Sequence, residues 1–264
     1  MDILDEAVKE FQQKLKDEHV NVTRRNLLRD GLLTLAGSAA GFLAGSFLGP
    51  QRIEVTETDL GLGHVLAFVP DLHVHYEGEP HVDAAIRAIG SVEPDVLVIG
   101  GDLVDETTAD LSSVERLLRD LDARKTVAVL GNHEYWSGLA ADVVRMLRRN
   151  GFEVLIDRST RIGEKSLLGL DWRETRRYGA VRFDGLVVVH DPNAADSVSG
   201  RAFVLAGHTH GGLTLGGLVL YTNSRYNRGR YRAAGGAELY VSRGLGQMPH
   251  QVRIGSPPEL VVVR

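Results

Sequence analysis

Asp71-Leu-His73, Gly101-Asp102-Leu-Val-Asp105, Gly131-Asn132-His133-Glu134, His190 and Gly207-His208-Thr-His210 follow one another in this order along a chain of 264 residues. Together they offer carboxylates, imidazoles and an amide, with one carboxylate placed to bridge. Those donor types hold two divalent cations side by side and make a nucleophile of water. Asp102, behind two glycines at the end of an apolar run, is the natural bridge. The chain has no cysteine, which excludes disulfides, thiolate metal sites and cysteine nucleophiles. Oxygen and imidazole donors without sulfur suit manganese, iron or zinc. His208 and His210 are two apart, so an extended backbone puts them on one face, whereas a loop can aim them at different metals.

The elements that must position these groups alternate. His64–Val69, Val96–Ile99 and Thr126–Leu130 read as strands, each ending just before a motif. Val82–Ser91, Leu111–Leu121 and Leu139–Arg149 between them have helical spacing. Strand–helix repetition predicts a parallel or mixed sheet with its chemistry on loops past the strands' C-terminal ends. After residue 150 the pattern turns to short strands, at Phe152–Ile156, Ser166–Leu170, Ala180–Phe183, Leu186–Val189, Phe203–Leu205, Leu218–Tyr221, Leu239–Val241 and Leu260–Val263. The glycine pairs at 211–212, 216–217 and 235–236 read as turns.

The ordered set of five motifs resembles the calcineurin-like metallophosphoesterases, whose pattern is D-x-H, GD-x-x-D, GNH-[DE], a lone His and GH-x-H. Tyr240-Val-Ser-Arg-Gly-Leu-Gly and Arg253-Ile-Gly-Ser-Pro-Pro-Glu259 extend the likeness towards the small, exported or membrane-attached branch of that family. The resemblance implies an α/β fold of two mixed β-sheets packed face to face with flanking helices, an α/β/β/α sandwich. It implies that Asp71, His73 and His210 hold one metal, that Asn132, His190 and His208 hold the other, and that Asp102 is shared. A hydroxide between the metals would attack a phosphoester, phosphodiester or pyrophosphate. His133 would protonate or stabilise the leaving group, and Asp105 would orient His133 by a hydrogen bond. One departure is Pro70 before Asp71, where the family has a small residue, and another is a second histidine, His75. His73-Val-His75 is also similar to the opening of the PHP-type phosphoesterases, a rival with no place for the second and third motifs. His75 is expected at the cleft rim, near the metals but not on them, and His19, His64, His81 and His250 are expected to be structural or surface residues.

Hydrophobic content of 43% and charged content of 25% are those of a globular protein, and a net charge of −5 argues against a nucleic-acid partner. Two segments are expected: 1–51 as an export signal or membrane anchor and 52–264 as the metallophosphoesterase domain. Thr23-Arg24-Arg25-Asn26-Leu27-Leu28-Arg29 resembles a twin-arginine export signal, and the run from Gly31 to Gln51 carries no charge. That run is long enough to span a bilayer as an apolar helix, and arginines before it favour a cytoplasmic N-terminus. The chain is therefore expected outside the cytoplasm at the membrane; a buried core helix and a cytoplasmic enzyme are the other readings. Arg225, Arg228, Arg230 and Arg232, with Arg173, Arg176 and Arg177 beside Trp172, offer either a phosphate clamp for a small-molecule or lipid substrate or plain solvated loops. A catalytically silent anchored scaffold of the same fold is the rival class.

Overall fold

The computed structural model describes residues 52–215, 218–246, 253 and 255–264; the proposed 1–51 segment lies outside the described residues. Strands β1 (Glu54–Thr58), β2 (Leu66–Val69), β3 (Val96–Gly100), β4 (Lys125–Val129) and β5 (Glu153–Val154) are interleaved with helices. These are α1 (Pro80–Ser91), α2 (Leu111–Asp120), α3 (Asn132–Trp136) and α4 (Ala140–Arg149). Strands β6 (Arg158–Ile162), β7 (Lys165–Leu170), β8 (Val181–Arg182) and β9 (Gly185–Val189) follow, then a 3-10 turn at Pro192–Ser197 and β10 (Val198–Ser199). The remainder is β11 (Ala202–Ala206), β12 (Leu213–Leu215), β13 (Leu218–Tyr221), β14 (Gly229–Arg232), β15 (Glu238–Val241) and β16 (Glu259–Val263).

Two six-stranded sheets result, ordered β1-β16-β2-β3-β4-β5 and β14-β15-β11-β9-β7-β6. Both are mixed: β16 meets β2 antiparallel in the first, and β6–β7 and β14–β15 are the antiparallel edges of the second. The two-residue side-chain period of each strand sorts its residues into layers. Leu66 and Phe68, Val96 and Val98, and Val127 and Val129 pack against Leu167, Leu186, Val188, Phe203 and Leu205 of the other sheet. Their alternates Ala67, Val69, Leu97, Ile99 and Ala128 face Val82, Ala85, Ile89, Val114, Leu117, Leu118, Val143, Met146 and Leu147 of the helices. Parallel strands buried on both faces carry near-continuous apolar runs, which is what made them legible.

The outer face of the second sheet (Val187, Val189, Val204, Ala206, Leu239, Val241) is covered by Ala194 and Ala195 of the 3-10 turn and by Tyr226, with no α-helix among the described residues there. The fold is the expected face-to-face α/β sandwich, with its α-helices gathered on one side. Helix starts follow local chemistry. Asp110 caps α2 by accepting from the Ser112 and Ser113 amides, and Pro80 opens α1 where no amide is needed. Glu79, at the cap position of α1, makes no capping bond because its carboxylate is taken by His75.

Candidate metal centre

Five strands, three from one sheet and two from the other, end at the same edge of the sandwich. β2 leads to Asp71 and His73, β3 to Asp102, β4 to Asn132 and His133, β9 to His190, and β11 to His208 and His210. The structure brings the carboxylates and imidazoles of this set together. Asp71, His73 and His210 form one group whose donor atoms lie within 4.8 Å of each other, and Asp102, His190 and His208 form a second on the same criterion. Asp102 also groups with His73 and His133, which places it between the two sets.

Getting there strains the backbone. Asp71 (φ 56°), His73 (φ 46°), Asp102 (φ 52°), His208 (φ 74°) and His210 (φ 48°) all sit in the left-handed region, where side chains with a Cβ are disfavoured. Such positions persist only where the surroundings over-determine them, and they concentrate at functional sites. The glycines before the motifs answer a related demand. A Cβ on Gly207 would lie 2.5 Å from Asp71 Oδ2, and one on Gly101 would lie 2.7 Å from His190 Nδ1. Ligand loops from different strands therefore touch through bare Cα atoms.

The hydrogen bonds leave buried polar atoms turned inward without partners. His190 Nδ1 donates to the Gly100 carbonyl (2.9 Å), so its Nε2 points at Asp102 Oδ2, 2.9 Å away but with no hydrogen bond formed. His73 Nδ1 donates to Asp105 (3.2 Å), and its Nε2 stands 3.2 Å from His210 Nε2, which is 3.6 Å from Asp71 Oδ1. Asn132 Oδ1 is buried with no hydrogen-bond partner at all. Buried polar atoms without partners need an explanation, and a cation that takes Asn132 Oδ1 and replaces the proton on His190 Nε2 supplies one. The residues fit divalent metal ions.

Charge within the cluster sets protonation. Burial opposes the charged form of His190, but the carboxylates of Asp102 and Asp71 outweigh it and push its pKa up to about 10. Burial pulls His208 down to about 3, helped by the charge of His190, so its ring is neutral at physiological pH. Burial, with Arg253 close by, also holds His210 well below its ordinary value. Asp102 is held below the usual carboxylate range: burial raises it, but His190 and His73 outweigh burial. A cation that takes Nε2 of His190 must displace its proton. Manganese binding to the metal-stripped protein at pH 7 is therefore expected to release a proton, and affinity is expected to rise with pH up to about 10. Calorimetry in buffers of different ionisation enthalpy reads this directly; a heat independent of buffer would contradict it.

Two expectations about supporting residues are corrected. Asp105 does not reach His133: it accepts from His73 Nδ1, from His75 Nε2 (2.9 Å) and from the Thr107 amide (2.7 Å) and hydroxyl (2.6 Å). Its neighbour Glu106 accepts from His133 Nδ1 instead (2.6 Å). The turn after β3 gives the two adjacent carboxylates different histidine partners. His75 is buried rather than at a rim, and both ring nitrogens donate, one to Asp105 and one to Glu79 (2.6 Å). That leaves it no lone pair for a metal and removes the PHP-type alternative.

Glu134 closes the third motif and is not among the expected ligands. It is 1% exposed and accepts from four backbone amides, those of Gly131 (2.7 Å), Asp102 (3.0 Å), Leu103 (2.6 Å) and Val104 (3.3 Å). It thus ties the Asp102 loop to the first turn of α3. Nothing in the sequence distinguishes that use from an exposed helix carboxylate except its place three residues after a capping position.

Five of the seven arginines have partners within the protein. Arg176 is held by Asp191 (Nε 2.9 Å) and by the Asn223 carbonyl, and Arg173 by Asp157 and Asp171. Arg225 pairs with Asp196, Arg228 with the Gly255 carbonyl and Arg230 with the Thr58 hydroxyl. Aromatic rings line the site instead: Trp172 lies 5.3 Å from His208 and Trp136 5.2 Å from His133, with the two indoles edge to face at 6.1 Å.

Comparison with known proteins agrees with this geometry. Residues 64–212 match the family model described as calcineurin-like phosphoesterase. An uncharacterized metallophosphoesterase of Aquifex aeolicus is 32% identical over 204 residues, 70% of this chain and 78% of that protein. The uncharacterized metallophosphoesterase YkuE of Bacillus subtilis is 28% identical over 278 residues, 91% of this chain and 96% of that protein. A Bos taurus relative named as a transmembrane protein with metallophosphoesterase domain is 25% identical over 227 residues, 74% of this chain but 51% of its own length. The chain belongs to the calcineurin-like phosphoesterases. It is a phosphoesterase hydrolase of the metal-dependent kind, with His and Asp clusters able to bind metal.

Proposed function

We propose that the protein hydrolyses a phosphoester, phosphodiester or pyrophosphate with two divalent cations, of manganese, iron or zinc, bound at the clustered motifs. Asp71, His73 and His210 would hold one, Asn132, His190 and His208 the other, and Asp102 both. Bound there, such ions supply Lewis acidity towards phosphoryl oxygens and lower the pKa of water. The observation that carries this reading is the clustering of donor atoms from Asp71, His73, Asp102, His190, His208 and His210, beside which Asn132 Oδ1 and His190 Nε2 are buried without a hydrogen-bond partner.

The chain's own residues divide the remaining work. Asp105, accepting from His73 Nδ1, fixes the tautomer that leaves Nε2 free to ligate. His133 turns Nε2 towards the cluster, 4.0 Å from Asp102 Oδ2, with the ring held in place by Glu106 on its Nδ1. A proton held at Nε2 is then ready for the departing oxygen. Trp136, half exposed beside His133, offers an apolar surface for the leaving group, and Trp172 shields the His190 and His208 side from water.

His133→Ala is expected to retain metal and to lower turnover by roughly 10²–10⁴-fold, the range of general acid contributions. Metal analysis beside steady-state kinetics tests it, and undiminished turnover would remove His133 from the reaction.

The place of action is proposed from the N-terminal pattern of paired arginines and an uncharged run. In that reading the protein is exported and held at the membrane, where a phosphorylated small molecule or lipid is its substrate. No described helix is long and apolar enough to cross a membrane, so an anchor would have to come from the segment outside them. Replacing Arg24 and Arg25 by lysine is expected to leave the protein in the cytoplasmic fraction. Unchanged fractionation would defeat the export reading.

A further inference from the structure

Five of the ten large apolar side chains left exposed among the described residues, Leu213, Leu218, Val219, Leu220 and Tyr221, belong to the antiparallel ribbon of β12 and β13. Leu218 is 66% exposed, Val219 41%, Leu220 53% and Tyr221 66%. The two-residue period puts Leu218 and Leu220 on one face and Val219 and Tyr221 on the other. Both faces of β13 are therefore apolar and uncovered, and no charged residue occurs from Gly211 to Ser224. A groove on a partner, or a second copy of the chain, would cover one face of such a ribbon. A hydrocarbon medium covers both.

The ribbon is also fastened to the metal centre. It leaves from Gly211 and Gly212, directly after His210, and returns to Asn223, whose side-chain amide donates to the His208 carbonyl at 3.3 Å. At its base, Asn227 donates to the Gly211 carbonyl at 3.0 Å and Thr209 donates to the Asn227 carbonyl at 2.5 Å. Arg225, largely exposed and paired with Asp196 at 3.0 Å, follows at that level. Leucines that enter the acyl boundary, with a tyrosine at the end of the strand, are an arrangement of interfacial anchoring.

We propose that the β12–β13 ribbon inserts into the interface of a lipid bilayer and seats the mouth of the site on the membrane surface. The inference does not depend on the hydrolytic reading and goes beyond anchoring by the N-terminal segment. Access to the centre would then be from the lipid surface, favouring substrates whose phosphate lies at headgroup depth.

Because the chain has no cysteine, Leu220→Cys in the full chain gives one labelling position for an environment-sensitive nitrobenzoxadiazole probe. Asp122→Cys, exposed ahead of β4 at the opposite end of the strands, is the control. With phosphatidylcholine vesicles, the probe at 220 is expected to shift to the blue and to be quenched by acyl-chain spin labels, while the probe at 122 is unaffected. Adding Leu218→Ser should lower the inserted fraction about tenfold, the effect of withdrawing one leucine from hydrocarbon. It should leave turnover of a soluble ester unchanged. A silent probe at 220 on protein that co-sediments with vesicles would overturn the proposal, since the N-terminal segment would then be the sole contact. A response to protein concentration without lipid would also overturn it, making the ribbon a self-association face. Loss of soluble-ester turnover bears only on the hydrolytic reading, because insertion is read without catalysis.

Discussion

Replacing Asp102 by alanine is expected to lower turnover by at least ~10³-fold while leaving the protein folded. Asp102 is 1% exposed, its Oδ1 accepts from the His133 amide at 2.9 Å, and its Oδ2 stands 2.9 Å from His190 Nε2. It is the one carboxylate shared between the candidate ligand groups, so its loss weakens both. Folding is affected by opposing terms. Alanine at φ 52° is strained, by about 1–2 kcal/mol, and the His133 amide loses its acceptor. Against this, the negative charge of Asp102 raises the pKa of buried Asp71 and Glu134, so removing it relieves repulsion. Without that carboxylate His190 loses the main cause of its raised pKa and becomes neutral more readily. The net cost is expected within about 2 kcal/mol in the metal-free protein. Metal content, turnover and thermal unfolding of the stripped protein separate the effects. A variant that kept both metals would show that Asp102 is not the shared ligand.

Glu134→Gln is expected to act in the opposite way, through stability. The carboxylate satisfies four amides from two loops, two on each oxygen. An amide group can offer only one acceptor oxygen, so its NH2 must face a pair of N–H donors. Leaving buried donors unmet costs roughly 2–4 kcal/mol in all. Burial and the charge of Asp102 raise the pKa of Glu134, and neutralising it recovers part of that penalty. Four oriented amide dipoles at contact outweigh one like charge, so destabilisation wins. The expected fall in Tm is about 5–15 °C, at 2–4 °C per kcal/mol for a domain of this size. Turnover should fall as well, because the peptide carrying Asp102 loses two of its anchors. An unchanged Tm would mean that the loops are held by other contacts.

The sequence made the strands behind the site legible because β2, β3, β4, β9 and β11 are buried on both faces and so spell out runs of Val, Leu, Ala and Phe. The ordered motifs after them carried the candidate ligands. Edge strands escaped. Glu54–Thr58, Arg158–Ile162 and Gly229–Arg232 are rich in Glu, Thr and Arg, and what makes them strands is pairing rather than burial, β1 with the sequence-distant β16, and β6 and β14 each with the strand that follows. Asp105 and Glu106 could not be told apart in advance, since which acid meets His133 depends on the turn's dihedral angles. Glu134 was hidden for a different reason: its partners are backbone amides, which leave no trace in residue identity. The ion pairs of Arg173, Arg176 and Arg225 were illegible because the acids that hold them, Asp157, Asp171, Asp191 and Asp196, are scattered along the chain.

The central claim is that the clustered motifs hold metal and that metal makes the protein a phosphoesterase. Its most direct test is hydrolysis of a chromogenic phosphodiester and the matching monoester by the metal-stripped protein before and after reloading with manganese, with Asp102→Ala in parallel. Turnover that is absent when stripped, restored by manganese and missing in Asp102→Ala is the predicted result, and the preferred ester narrows the substrate class. Turnover that survives stripping, or that Asp102→Ala retains without metal, would contradict the account.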